Sequence, residues 1–202
     1  MKGYKVIKLK ELLEELGTDK TQEFIRSYKC PLNGDVEKFL KERAIEFAKQ
    51  SLAGIYLVFT SFQDKPVLIG YFALRNKNIT IRKSNSSGTF WRRAKKFGTY
   101  DEVYQVVQMP VLLIGQLGKN FANEMDKLIS GDELLELALS EVRLVHSSIG
   151  GRFVYLECED NDKLIVFYRN HGFIDFGKRY LERDEKNEAA SDYLVQMIRY
   201  LH

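Results

Sequence analysis

The stretch Phe153–Phe173, FVYLECEDNDKLIVFYRNHGF, gathers the side chains best suited to proton transfer. The Tyr168 phenol stands four residues before Gly172, and two carboxylates, Glu157 and Glu159, flank Cys158. A phenol with a pKa near 10 keeps its proton at neutral pH and can donate it, whereas a carboxylate can take one up directly or through water. Val154, Tyr155, Leu156 and Cys158 predict a buried strand. Glu159-Asp160-Asn161-Asp162 supplies turn and helix N-cap chemistry, and Leu164, Ile165, Phe167 and Tyr168 recur at helical spacing up to a stop at Gly172. Strand, turn with Asn161, and helix ending in Tyr-x-x-x-Gly-Phe is the order a cofactor thioester site needs. Read alone, Glu157 and Glu159 are ordinary strand-end carboxylates on the side opposite Cys158, and Tyr168 is a half-buried aromatic at a helix end.

The rest of the chain must position that segment. Lys5 to Leu9 reads as a first strand, followed by a short helix from Leu12 to Leu16 that Gly17 ends. Asn33-Gly34-Asp35 starts a helix to about Gln50, with Val36, Phe39, Leu40, Ala44 and Phe47 on one face. Strands are predicted at Gly54–Ser61 and Val67–Leu74 around a Gln-Asp-Lys-Pro turn, and a third at Ile79–Arg82. Met109–Leu117, MPVLLIGQL, is the most apolar strand and suits the centre of a sheet covered on both faces. A helix follows from Gly131 to Val145, and the tail DYLVQMIRYL is a last strand or a short helix.

With 202 residues, 45% of them hydrophobic, the chain can fill one globular domain over 1–202, and three prolines leave no evident linker. The absence of a run of about eighteen apolar residues, and the acids in MKGYKVIKLKELLEELG, point away from a membrane span or secretory signal and toward the cytoplasm. Cys30 and Cys158 are far apart and read as packing thiols, and His146, His171 and His202 have no second ligand at metal-site spacing, so no metal is expected. The net charge of +3 is unevenly spread: Lys65 to Tyr100 contains no acid, and FWRRAKKFG interleaves Phe90, Trp91 and Phe97 with Arg92, Arg93, Lys95 and Lys96. Such a segment is either a solvated helix face or a surface for nucleic acid or phosphate.

The segment from Asn161 to Phe173 resembles the C-terminal half of the GNAT acetyltransferase superfamily, where N-x-x-A-x-x-F-Y-x-x-x-G-F joins the fifth strand to the fourth helix beside acetyl-CoA. Asn161, Phe167, Tyr168, Gly172 and Phe173 match that pattern, and Leu164 stands where Ala is usual. Phe24 to Ala44, with Cys30, Phe39 and Leu40, is similar to the opening F-x-C-x-x-x-x-L-D-x-F-L of a bacterial GNAT subgroup, and Gly70-Tyr71-Phe72 matches its third strand. The resemblance implies an α/β chain of α+β type with a mixed, mostly antiparallel sheet flanked by helices. It also implies acetyl-CoA as co-substrate and a primary amine as acceptor, in a small molecule, a peptide or an aminoacyl-tRNA. A homodimer is left open.

Residue by residue, the resemblance places the CoA pyrophosphate at the start of the Gly131 helix, where backbone N–H groups and a partial positive charge gather. The usual Q/R-x-x-G-x-G/A loop falls on Met125 to Gly131, with Leu128 and then Ile129 at the earlier glycine, so only Gly131 survives. Ser130 can cap the helix and reach a phosphate, Lys119 or Lys127 can add charge, and Asp132 and Glu133 suit the helix dipole but repel pyrophosphate. Gly115-Gln116-Leu117-Gly118 falls where the pantetheine arm pairs with exposed backbone, and Asn161 and Tyr168 complete the implied site. Tyr168 is the implied acid for the departing thiolate. Glu157 is the candidate base, acting through water. A lysine acceptor costs roughly 4.6 kcal/mol to deprotonate at pH 7 and an α-amine only about 1 to 1.4, so an α-amine can manage with water alone.

Overall fold

The computed structural model describes residues 3–181 and 192–201. Among the described residues eight strands, numbered β1 to β8 along the chain, run in the order β1-β2-β3-β5-β6-β8-β7, with β4 paired to β5, and helices flank the sheet. This is the mixed, mostly antiparallel sheet that the GNAT resemblance implies. The chain divides into two compact units, Met1–Arg75 with Ile114–Glu141 and Asn76–Leu113 with Val142–His202.

In the first unit, β1 (Lys5–Lys8) pairs antiparallel with β2 (Gly54–Phe62), and β2 with the first part of β3 (Lys65–Arg82). Gln63 and Asp64 make a two-residue turn with φ of 50° and 59°, the left-handed pair whose twist suits a tight hairpin. α1 covers Leu9 to Arg26 as two helical stretches that meet at Gly17, whose φ of 78° and ψ of 171° are not helical, so the first stretch stops at the predicted glycine and a second follows it directly. Thr21 bridges the kink by donating its hydroxyl to the Gly17 carbonyl at 2.8 Å, so the backbone polarity freed by the glycine is answered locally. The single predicted helix from Asp35 to Gln50 is α2 (Gly34–Lys38) and α3 (Ala44–Lys49) joined by a π-turn at Phe39–Arg43. Asn33 caps it, accepting from the Val36 N–H at 3.1 Å. Leu9, Ile25, Leu40, Leu57 and Tyr71 fill this unit's core.

In the second unit, the strands predicted separately at Val67–Leu74 and Ile79–Arg82 prove to be one continuous β3 that carries the chain over from the first. A short 3-10 turn leads to α4 (Gly88–Phe97), then β4 (Thr99–Asp101) and β5 (Val106–Lys119). β5 runs parallel to β6 (Phe153–Cys158), with Leu112 opposite Val154 and Leu113 opposite Tyr155. Val111 to Ile114 are all buried, as a strand covered on both faces requires. α5 (Gly131–Ile149) precedes β6, and α6 (Asp162–Asn170) and β7 (Ile174–Tyr180) follow it. The tail resolves to a strand, β8 (Tyr193–Tyr200), antiparallel to both β6 and β7. Ile81, Ala94, Val107, Tyr155 and Ile198 centre the core here. Among the described residues no helix is long and apolar enough to cross a membrane.

Candidate functional site

Tyr168 owes its position to how α6 begins and ends. Asn161 accepts from the Lys163 N–H at 2.9 Å and caps the start. At the other end the Phe173 N–H returns to the Tyr168 carbonyl at 3.1 Å and the Gly172 N–H to the Arg169 carbonyl at 2.9 Å. Gly172 adopts φ 78°, the left-handed turn that such a paired helix stop requires. The phenol itself donates to no described residue. Burial, and then the neighbouring Cys158 thiol, push its pKa above the ordinary phenol value, so the proton stays on. The Cys158 thiol is pushed up to about 11 by burial and by Asp160, Glu159 and Asp175, which keeps it neutral.

Glu157 is not a free carboxylate. Its Oε1 accepts from Lys77 Nζ at 2.7 Å and from the Tyr155 hydroxyl at 2.5 Å, and its Oε2 lies 2.9 Å from Arg179 Nε. Gln196 in turn donates to the Tyr155 oxygen at 2.9 Å. Burial works to raise the Glu157 pKa, but the bonds from Lys77 and Tyr155 and the Arg179 charge outweigh it, and the net shift is downward. Tyr155 is pushed up by burial and by that same carboxylate. A carboxylate so well satisfied is a poor proton acceptor, and its role here is to hold Lys77, Tyr155 and Arg179 in one network. Tyr155 and Glu157 lie two apart on one face of β6, a spacing visible in the sequence; Lys77, Arg179 and Gln196 come from three other strands and carried no local signal.

At the end of β5, Leu117 is half-buried and Gly118 buried. A Cβ on Gly118 would stand 2.5 Å from the Tyr28 hydroxyl and 2.5 Å from Val36 Cγ1, so close packing, rather than an open strand end, explains this glycine. Asn120, which the motif did not single out, is 2% exposed and locks the strand end. It donates to the Leu68 carbonyl at 2.8 Å and accepts from the Lys29 and Ala122 N–H groups at 3.0 Å each. Lys119 donates to the Asp126 carbonyl at 2.9 Å, and Lys127 pairs with Glu124 on an exposed surface.

The start of α5 is a reciprocal cap. The Glu133 N–H donates to Ser130 Oγ at 3.1 Å, and the Ser130 N–H donates to Glu133 Oε2 at 2.8 Å. Tyr4 stands beside it, its hydroxyl 3.2 Å from the Leu128 carbonyl and its pKa pushed up to about 12 by burial and by the Glu133 carboxylate. Ile129 is buried, whereas Ser130 and Asp132 are exposed and Gly131 is half-buried, so the helix start reaches solvent with an acid already on it.

The basic segment divides in two. Ser87 caps α4 by accepting from the Phe90 N–H at 3.2 Å, and Phe90, Trp91 and Ala94 turn inward while Arg92, Arg93, Lys95 and Lys96 stay exposed. No group of three or more His, Cys, Asp and Glu residues stands close enough to hold a metal among the described residues.

No family model matches this chain, and no curated protein matches it. Solved structures do. A bacterial toxin superposes with a TM-score of 0.63 at 16% identity, covering 99% of this chain and 92% of its own. AtaT complexed with acetyl-methionyl-tRNAfMet superposes at 0.62 and 16% identity over 96% and 94%. AtaTR bound with AcCoA gives 0.54 and 16% over 96% and 93%. At such identities the likeness establishes a shared fold.

Proposed function

We propose, on the premise of a fold held in common with these toxins over nearly the whole chain, that the protein is an acetyl-CoA-dependent N-acetyltransferase. One observation carries the reading: a half-buried phenol, its pKa raised, stands at the end of α6 at the position where the family motif requires it. The neutral amine of the acceptor attacks the thioester carbonyl carbon, the C–S bond breaks, and Tyr168 gives its proton to the departing thiolate. The proton lost by the amine passes to water, and the phenol is reprotonated from solvent. This route suits an α-amine, of which roughly a tenth to a sixth is already neutral at pH 7, and it asks nothing of Glu157. The N-terminus of α5 at Ser130, Gly131 and Asp132, with Lys119 and Lys127, takes the pyrophosphate; the half-buried Leu117 lines the pantetheine arm. The Glu133 carboxylate opposes that binding, and affinity for acetyl-CoA is correspondingly modest.

Calorimetric titration with acetyl-CoA, with free CoA and ATP as controls, tests the reading. Heat selective for the CoA compounds supports it and opens an acceptor screen of small amines, peptide N-termini and aminoacyl-tRNA. No heat at high ligand means the Ser130–Glu133 cap has closed the phosphate site and the chain acts as a binding protein.

The acceptor reading favoured second is a charged tRNA reached through Arg82 to Lys96. Support comes from the four exposed cations of α4 and from the tRNA product named in the AtaT complex. Salt dependence separates it from a small-molecule acceptor, because phosphate contacts release counterions.

A further inference from the structure

At the end of the second unit's sheet opposite Cys158, where β6 and β7 begin and β8 ends, a cleft of about 330 Å³ is lined by Phe90, Arg93, Phe153, Ile174, Arg199 and Tyr200. Phe153 and Cys158 are five positions apart on β6, about 16 Å of strand, so the cleft lies at the other end of that strand from Cys158, with Gly172 of the α6 stop on its edge. Its floor is aromatic: Tyr200 meets Phe153 edge-on at 5.4 Å, and Phe97 stands 6.1 Å from Tyr200. Its rim is cationic. The Arg93 guanidinium lies 4.7 Å over the Tyr200 ring, Arg152 lies 5.7 Å over Phe97, and Arg199 passes over Gly172, where a Cβ would sit 3.5 Å from its Nε. None of these three arginines forms an ion pair with a described carboxylate, and Asp175 on β7 is already held by Arg169.

Arg93 and Arg152 are exposed and Arg199 half-buried, so all three guanidiniums can reach a ligand beside the aromatic wall, and together they match one ligand chemistry, a phosphate joined to a flat ring. We propose that this cleft is a nucleotide site distinct from the acyl-transfer site, with the phosphate held by Arg93 and Arg199 and the base packed on the half-buried Tyr200. Arg152 carries a second phosphate where the nucleotide belongs to a strand. The site stands whether or not the chain transfers acetyl groups.

The chain's one tryptophan, Trp91, is 7% exposed on α4 next to Arg92 and Arg93, and reports binding there by its fluorescence. The protein is titrated with a five-residue oligoadenylate, with AMP, and with tripolyphosphate as an anion lacking a base. The oligonucleotide is expected to bind at least tenfold more tightly than tripolyphosphate, with about 0.7 of a logarithmic unit lost per contacted phosphate for each tenfold rise in salt. Arg93→Gln, on the exposed helix face, and Arg199→Gln are each expected to weaken it fivefold or more, and Tyr200→Leu to remove the advantage over tripolyphosphate. AMP binding as tightly as the oligonucleotide identifies a free nucleotide as the ligand; binding of the oligonucleotide alone identifies a single strand. Equal affinity for tripolyphosphate, or affinities unchanged in both arginine variants, overturns the proposal. A parallel loss of acetyl-CoA binding in those variants also overturns it, because the cleft then belongs to the cofactor.

Discussion

Tyr168 and Phe173 face each other edge-on with ring centroids 5.8 Å apart, and the same two residues are joined by a 3.1 Å hydrogen bond from the Phe173 N–H to the Tyr168 carbonyl. Ring contact and backbone bond together close α6, so Tyr-x-x-x-Gly-Phe is a helix stop as well as a candidate chemical signature. The ring serves the fold, and the hydroxyl donates to no described residue.

Tyr168→Phe therefore separates the two roles. It keeps the ring contact and removes a hydroxyl that donates to no described residue, so stability is expected to change by less than about 1 kcal/mol. Turnover is expected to fall roughly 10²- to 10⁴-fold, the usual contribution of a general acid, with acetyl-CoA affinity unchanged. Unchanged turnover would remove Tyr168 as the proton donor. Because burial raises the phenol pKa, no decline of kcat through phenol ionisation is expected up to about pH 10.

At the start of α5, Glu133→Gln keeps an acceptor for the Ser130 N–H and deletes the charge. A carboxylate at a helix N-terminus interacts with the dipole by about 0.3 to 1 kcal/mol, and a comparable repulsion of pyrophosphate is relieved in the variant. Calorimetry is expected to show acetyl-CoA bound roughly two- to fivefold more tightly. An unaltered Kd would mean that Glu133 does not face the ligand.

Glu157→Gln leaves Lys77 and Arg179 partly buried without their counter-charge. Urea unfolding is expected to show a loss of about 2 to 4 kcal/mol, somewhat below the cost of breaking a fully buried pair because Lys77 and Arg179 remain a quarter exposed. The Glu157 carboxyl lies below its ordinary value in the folded chain, so the network stabilises the protein above the unfolded pKa near 4.3 and that contribution fades as pH falls through the folded value. The variant is accordingly expected to lose the Glu157 share of the acid-side decline in stability, while Glu37 and Asp160, also held below their ordinary values, keep theirs. If the variant is as stable as the parent while kcat/KM drops with a shifted pH profile, Glu157 is a base after all.

Gly118→Ala drives a methyl group to 2.5 Å from both the Tyr28 hydroxyl and Val36 Cγ1. Overpacking of this kind costs about 1 to 3 kcal/mol, and adding Tyr28→Phe is expected to return part of it by removing the nearer polar atom. Thermal unfolding of the single and double variants decides between close packing and an open strand end at this glycine.

Much of the scaffold was legible because its signals are local. The apolar run at Val111–Ile114, the Asn33 and Asn161 caps, the Gly172 stop and the inward face of α4 each depend on residues within one or two turns of one another. Gly17 was legible in the same way, since its left-handed φ ends the first helical stretch, but the second stretch that follows at once, with Thr21 and Ile25 buried, carried no equally local signal. The join of Val67–Leu74 to Ile79–Arg82 was also hidden, since Arg75, Asn76 and Asn78 are exposed and interrupt the apolar pattern without breaking the strand.

Chemical identity along the chain settled where a phenol, a helix start and a cationic aromatic segment could occur. Only the tertiary structure decided their condition. Burial raises the Tyr168 pKa further, three distant strands bring Lys77, Arg179 and Gln196 to the Glu157 network, and the fold leaves Arg93 and Arg199 in one aromatic cleft with Arg152 over the adjoining Phe97. Spacing reports which side chains share a helix face or strand edge. Solvation and long-range pairing, which set the charge and availability of each group, depend on which strands become neighbours.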